Sequence, residues 1–343
     1  MIEINARMGA FSSFETDRSI AWEVDMGRTT AGVVFATVTA VIWGGQFVVG
    51  KSALSRVDAF PLTTVRYALA AALLLALLVA VEGRSALHLD GTGWRLFFLG
   101  SLGFAGFNLF AYTGLQHARP QSASLIVALG PLVTAIVLWL RDGTRPARTT
   151  GAALVVALIG VALVVSRGHL ETIFGGSIGW GDGLVLLGVT CFVLYTLGAA
   201  RYTTLSPLRY TALTAALGWL AIAGATVVAL VTGLSPTPSA SDVGAVTPAI
   251  LYLAIPGAVI AVLTWNAAVG KIGPQNVSLI GNLIPVTTFA IEIVRGYRPN
   301  ALELAGAGIA LGALAANNLL LRRPAAEPIE RDQSDYEVEL EAA

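Results

Sequence analysis

Two stretches 154 positions apart, PQSASLIVALGP (residues 120–131) and PQNVSLIGNLIP (residues 274–285), agree at seven of twelve positions. The identities include both bounding prolines, the Gln121/Gln275 and Ser124/Ser278 pairs and the Leu-Ile that follows, and Thr134 and Thr288 extend the match. A repeat of this kind is a statement about architecture, made before any residue has a role. It calls for two halves of one design, each with a helix broken near its middle. Proline removes a backbone donor and frees the carbonyl four residues back, here Val127 or Gly281. Pro131 and Pro285 are therefore the expected hinges.

The chain between the repeats is apolar. Of 343 residues 55% are hydrophobic and only 12% charged, against about 25% charged in a soluble domain. Ten apolar stretches fall at 31–50, 61–81, 94–115, 120–140, 150–166, 181–200, 208–231, 248–269, 274–294 and 302–321. Each is near the ~20 residues that cross a bilayer as a helix. Water is absent there to satisfy peptide groups, so the expectation is an all-α integral membrane protein with ten transmembrane helices. Five helices per half is an odd number, so the second half enters the membrane upside down. The result is two inverted five-helix repeats, at 30–168 and 177–322, between a polar N-terminal tail (1–29) and an acidic, disordered tail (323–343).

Lys and Arg concentrate in segments that share a side with the N-terminus, which places both termini in the cytoplasm of a multi-pass cell-membrane protein. Residues 1–29 lack the apolar core of a signal peptide, and hydrophobicity begins only at Ala31, so Met26 is a possible start. Zero net charge leaves no nucleic-acid footprint. One cysteine, Cys191, excludes an intrachain disulfide and a cysteine metal cluster. Walker A and H-E-x-x-H patterns are missing, and the G-x-S-x-G match at 175–179 lies in a loop, not on the strand-turn-helix a hydrolase needs. No cofactor is expected. The partners are the bilayer, a small-molecule substrate and, for a homodimer rather than a monomer, a second copy.

Polar side chains at mid-membrane depth need partners, so they face a cavity or another helix. The first helix offers Trp43 and Gln46, and the sixth offers Tyr195 at the repeat position of Gln46. Asn108 and Tyr112 lie four apart on the third helix; Trp265 and Asn266 stand on its repeat, the eighth. Ser124 on the fourth helix faces the pair Ser278 and Asn282 on the ninth. Together they outline a substrate pocket lined by aromatic rings and amides. Interhelical hydrogen bonding is the plainer reading of each. Gly308 and Gly312 have the spacing of close helix packing, Asp182 that of a helix cap, and Trp94 and Trp180 that of interfacial anchors.

These residues resemble the EamA-type transporters of the drug/metabolite superfamily. The resemblance rests on WGGQFVVGK (43–51), PLTTVRYALAAALLLALL (61–78), AYTGLQHARPQSASLIVALGPLVTAI (111–136) and WNAAVGKIGPQNVSLIGNLIP (265–285). It implies secondary transport by alternating access, export of amino acids or other small metabolites, and a central cavity lined by helices 1, 3, 4, 6, 8 and 9. Nucleotide-sugar or drug carriage is the alternative within the superfamily, and an intramembrane enzyme the alternative outside it. Thr144 and Tyr297 stand where the family often has a glutamate.

Arg66 and Glu292 are the charges set inside apolar stretches, at matching depths near the outer surface. The expectation is a gating pair that latches the outer side of the cavity. The plainer reading has Arg66 snorkel to headgroups and Glu292 meet water.

Overall fold

A computed structural model describes residues 27–143, 145–169, 179–199, 202 and 204–320, without the side chains of Pro274, Gln275, Ser278, Asn318 and Leu320. The polar ends, Thr144, the 175–178 part of the G-x-S-x-G match and the Ser278 side chain lie outside this description. Among the described residues the chain is helical, with no strand.

Helix starts follow local chemistry. Helix α1 runs Gly27–Ala53. Asp58 caps α2 (Ala59–Glu82) by accepting from Phe60 N–H at 3.1 Å, and Gly83 ends it with φ 83°. The third apolar segment is α3 (Gly93–Gly100), a π-helical turn at Ser101–Gly106 and α4 (Phe107–His117). Next come α5 (Pro120–Ala128), α6 (Gly130–Asp142), α7 (Arg148–Val165) and α8 (Trp180–Ala199). Ser206 caps α9 (Pro207–Val231) and Ser239 caps α10 (Ala240–Ala254), each through an N–H three residues on. A second π-helical turn, Ile255–Ile260, leads to α11 (Ala261–Gly281), α12 (Leu283–Val294) and α13 (Ala301–Leu320). Gly273, at φ 78°, breaks α11 ahead of Pro274.

Seven helices are long and apolar enough to cross a membrane, and an eighth span results if α5 and α6, bent by 46°, are taken as one. Two shorter apolar helices, Leu279–Val294 and Ala301–Asn317, follow. Their outward faces stay apolar, as with Val227, Val228 and Val231 on α9. A helix apolar all round belongs in lipid or a large core.

The packing repeats under exchange of the halves. Helix α1 packs on α11 as α8 packs on α4, and α1 on α12 as α8 on α6; α2 meets its own counterpart α9, and α7 meets α13. The two π-helical turns are also 154 residues apart, at Ser101 and Ile255. Gly160 and Gly306 let α7 and α13 approach to backbone contact. Gly308 and Gly312, the expected packing pair, instead face away with nothing within 4 Å of where a Cβ would stand. The helix phase explains this: Gly306 is buried on the α7 side while Gly308 and Gly312 are exposed.

The breaks fall just ahead of the expected prolines, at Leu129 and Asn282. Pro131 is the second residue of α6 and Pro285 the third of α12. First-turn positions have no intrahelical acceptor to lose, so each helix restarts where proline is tolerated. Asp182 lies inside the first turn of α8 rather than capping it.

Candidate functional site

The expected pocket residues separate into groups. Trp43 reaches from α1 into the second half, donating its indole N–H to Gly257 O at 3.0 Å and tilting against Trp265 with centroids 5.2 Å apart. Gln46, one turn further along α1, is buried against the same glycine, where a Cβ would strike its Oε1. Gly257 belongs to the π-helical turn, and its carbonyl takes the Trp43 indole there. Trp265 also lies beside Gly281, next to the break at Asn282, whose buried Nδ2 has no hydrogen-bond partner among the described residues. Asn266 is half-buried.

The other half repeats part of this arrangement. Tyr195 on α8 is buried against Gly103, in the first π-helical turn, and a Cβ there would strike its ring. Gly103 and Gly257 are 154 residues apart. Tyr195 belongs to an aromatic row that crosses the halves, with centroid separations of 5.6 Å for Tyr67–Phe104, 5.4 Å for Phe104–Tyr195 and 5.3 Å for Tyr195–Tyr210. Ser124 is fully buried and donates to Gln121 O of its own helix at 2.9 Å.

Asn108 and Tyr112 form a third group around Arg66, which is 0% exposed. Arg66 donates to Tyr112 Oη at 2.9 Å and to Asn108 Oδ1, and its guanidinium carbon lies 4.1 Å from the Tyr112 ring centroid. Asn108 Nδ2 donates to Tyr67 Oη at 3.0 Å and to Phe104 O at 2.8 Å. Gly50 of α1 lies against the Tyr112 ring.

Arg66 and Glu292 are not paired. The buried face of α2 turns Arg66 toward α4, while Glu292 takes the Arg295 guanidinium at 3.2 Å, one turn along its own helix. Both the latch and the snorkelling expectation for Arg66 give way to this inward orientation.

Sequence reading misses a charged cluster that does join the halves. Glu303, 0% exposed, accepts from Arg119 Nη1 at 2.7 Å and from Tyr297 Oη at 2.5 Å, with Arg167 Nε 3.7 Å away. Asn300 and Glu303 close a capping box at the start of α13, through Glu303 N–H to Asn300 Oδ1 at 2.8 Å and Asn300 N–H to Glu303 Oε2 at 3.2 Å. Burial pushes the Tyr297 phenol above its ordinary pKa, and its hydrogen bond to Glu303 adds to that. Tyr297 stands where a family glutamate is expected; it serves a carboxylate six residues on. The Asn-x-x-Glu spacing was the available signal.

Further polar bridges link the halves elsewhere. Ser235 donates to Asp58 Oδ1 at 2.7 Å. At the opposite helix ends Ser206 donates to Glu82 at 2.5 Å, Arg209 reaches Asp90 at 2.8 Å and Arg28 reaches Gly270 O at 3.0 Å. Two surface clefts, of about 470 and 330 Å³, contain none of the expected pocket residues; Glu82, His88, Asp90 and Arg209 line the larger. Among the described residues no His, Cys, Asp or Glu group of three or more could hold a metal.

This is a multi-pass helical membrane protein built on two equivalent halves. The chain belongs to the EamA-like transporter family, which matches residues 30–166 and 179–319. It is 27% identical over 305 residues to the uncharacterized transporter YrdR of Bacillus subtilis, covering 87% of this chain and 94% of that one. It is 25% identical over 306 residues to the aromatic amino acid exporter YddG of Ancylobacter novellus, covering 87% of this chain and all of that one (100%). A crystal structure at 22% identity superposes with a TM-score of 0.60 over 86% of this chain and 100% of its own, a likeness of fold.

Proposed function

We propose that this transporter exports small metabolites, with aromatic amino acids the leading class, by alternating access across the cytoplasmic membrane. On this reading the bent pair and the two shorter apolar helices join the seven long ones as spans, giving ten in two inverted sets of five. Both termini then lie in the cytoplasm. Substrate sits near the midplane between inverted halves in such transporters. The observation that carries the proposal is the paired placement of Gln46 on Gly257 and Tyr195 on Gly103, each reaching from one half into the π-helical turn of the other. The tryptophan pair and the aromatic row would offer a ring complementary surfaces, and the unpartnered Asn282 Nδ2 a donor for a substrate oxygen. A relative named as an aromatic amino acid exporter supports the class.

With Glu292 already paired to Arg295, the proposal takes facilitated diffusion over proton coupling. Counterflow in proteoliposomes tests both points, using aromatic and aliphatic amino acids, a nucleotide-sugar and a cationic drug at two pH values. Exchange of tryptophan or phenylalanine with little pH dependence is expected. Exchange of the nucleotide-sugar or drug alone would replace the substrate class, and acceleration by an imposed proton gradient would replace the coupling.

A further inference from the structure

Arg66 is a permanent charge sealed in the protein without a counterion. It is 0% exposed, and no carboxylate among the described residues pairs with it. Neutral acceptors, Asn108 Oδ1 and Tyr112 Oη, take two of its nitrogens, and Arg66 Nε is buried with no partner. One turn earlier on the same helix, Thr63 is 0% exposed and its Oγ1 has no partner either. Tyr112 Oη and Tyr67 Oη each accept a hydrogen bond here, and neither hydroxyl has an acceptor for its own proton among the described residues. The cluster therefore holds a net positive charge and spare donors that include the Arg66 Nε–H and the hydroxyls of Thr63, Tyr67 and Tyr112. Buried donors and charges in apolar surroundings are costly unless matched. A threonine in a helix can ordinarily satisfy itself on the carbonyl four residues back, and Thr63 does not.

We propose that this cluster is the receiving site for a substrate carboxylate, with Arg66 as its counterion and Thr63 as a second donor. The inference deepens the exporter reading, on which it rests for the aromatic part of the ligand. A carboxylate accepts several hydrogen bonds at once and neutralises the guanidinium, which a neutral amide does not. The Tyr67–Phe104–Tyr195 row begins beside the cluster and supplies an apolar surface for an attached ring. The Gly50 contact to Tyr112 and the Asn108 bond to the π-helical turn tie the site to α1 and to a non-α segment. Movement of those elements opens it.

The test measures affinity of the purified full-length protein for matched acids and amides. The pairs are L-tryptophan with L-tryptophanamide, indole-3-acetate with indole-3-acetamide, and benzoate with benzamide. Wild type is expected to favour each acid by about 10- to 100-fold, the range for a charge-assisted pair. Arg66→Gln brings the ratio near one, Arg66→Lys retains part of it, and Thr63→Val lowers it by a few fold. Melting temperature and gel filtration verify that each variant is folded. An unchanged ratio in folded Arg66→Gln overturns the site, as does equal wild-type affinity for acid and amide. Chloride stabilisation that depends on Arg66 without any acid preference overturns it too. Arg66-dependent preference for benzoate and indole-3-acetate without tryptophan exchange keeps the site and removes the exporter reading. Tryptophan exchange with an acid-to-amide ratio indifferent to Arg66 does the reverse.

Discussion

Arg119 and Glu303 meet at 2.7 Å across the two halves, and the carboxylate end has no solvent exposure. Arg119 sits just before α5 and also donates to the last carbonyls of α7, Val164 at 2.5 Å and Val165 at 3.0 Å. One guanidinium thereby fixes the start of the broken helix against both α7 and α13. Removing Glu303 strands Arg119, Tyr297 and the Asn300 N–H together. Glu303→Ala is expected to cost about 2–4 kcal/mol, at the lower side of a broken buried pair because Arg119 keeps some solvent. Melting in detergent measures it. Glu292→Ala, which breaks a pair with a half-exposed arginine, should cost less than about 1 kcal/mol.

Tyr297 makes an alkaline prediction. Its phenol is held above the ordinary value of 10.0 by burial and by the bond to Glu303. A raised folded pKa means that the native state keeps its proton when the unfolded chain has lost it. The stability this confers is complete below the unfolded value and declines as pH rises through it toward the folded one. Tyr297→Phe should lose about 1 kcal/mol near neutral pH and show a shallower loss above pH 10 than wild type. Parallel curves for the two proteins would refute this.

Gly103 and Gly257 are predicted to be intolerant of any side chain, though unequally. A Cβ at Gly103 meets the base of the Tyr195 ring, which is rigid, while at Gly257 it meets the flexible end of Gln46. Gly103→Ala should therefore cost about 1–3 kcal/mol as overpacking, and Gly257→Ala less. Thermal melts of both variants, beside transport in liposomes, check the order. Gly257→Ala as the more damaging change would count against the contact geometry.

How far these features were legible in the sequence differs by residue. The 154-residue spacing of the proline segments announced two equivalent halves, and Gly103 and Gly257 carry the same spacing. The π-helical turns were not legible, because SLGFAG and IPGAVI share only that glycine. Depth along a helix follows from counting residues, so Arg66 was rightly set inside a span. Its partner depends on rotation about the helix axis, and the uniform apolarity of α2 gives no face to read. Asn108 and Tyr112 belonged together through their i, i+4 spacing, but their common ligand was a charge on another helix. Glu303 lay at the second residue of the last apolar stretch, where a carboxylate reads as a capping residue; its arginine is 184 residues away in sequence.

The Trp43–Trp265 contact gives a prediction on transport. The two rings come from opposite halves at 5.2 Å. On the exporter reading, Trp265→Ala should lower tryptophan exchange by about 2- to 10-fold, as loss of an aromatic contact worth ~0.5–1.5 kcal/mol would, and Asn282→Ala should lower it as well. Membrane insertion, followed by expression and gel filtration, should not change. Wild-type exchange in both variants would remove these residues from the path.

On the alternating-access reading, the polar bridges that join the halves at both ends of the helices give the last prediction. Asp58 and Ser235 bridge one end at 2.7 Å, and Glu82 and Ser206 the other at 2.5 Å. A transporter that opens to each side in turn must break one bridge in each half-cycle. Asp58→Cys with Ser235→Cys, and Glu82→Cys with Ser206→Cys, place a thiol pair at either end. The native Cys191 is buried, so reagents should label the introduced thiols first. A short bifunctional thiol crosslinker across either pair should stop substrate exchange, and cleaving the link should restore it. Before crosslinking, losing the Asp58 cap of α2 should cost about 1 kcal/mol, too little to unfold the protein. Exchange that continues with either end crosslinked would mean that substrate passes without separation of the halves there, and the alternating cycle would fail.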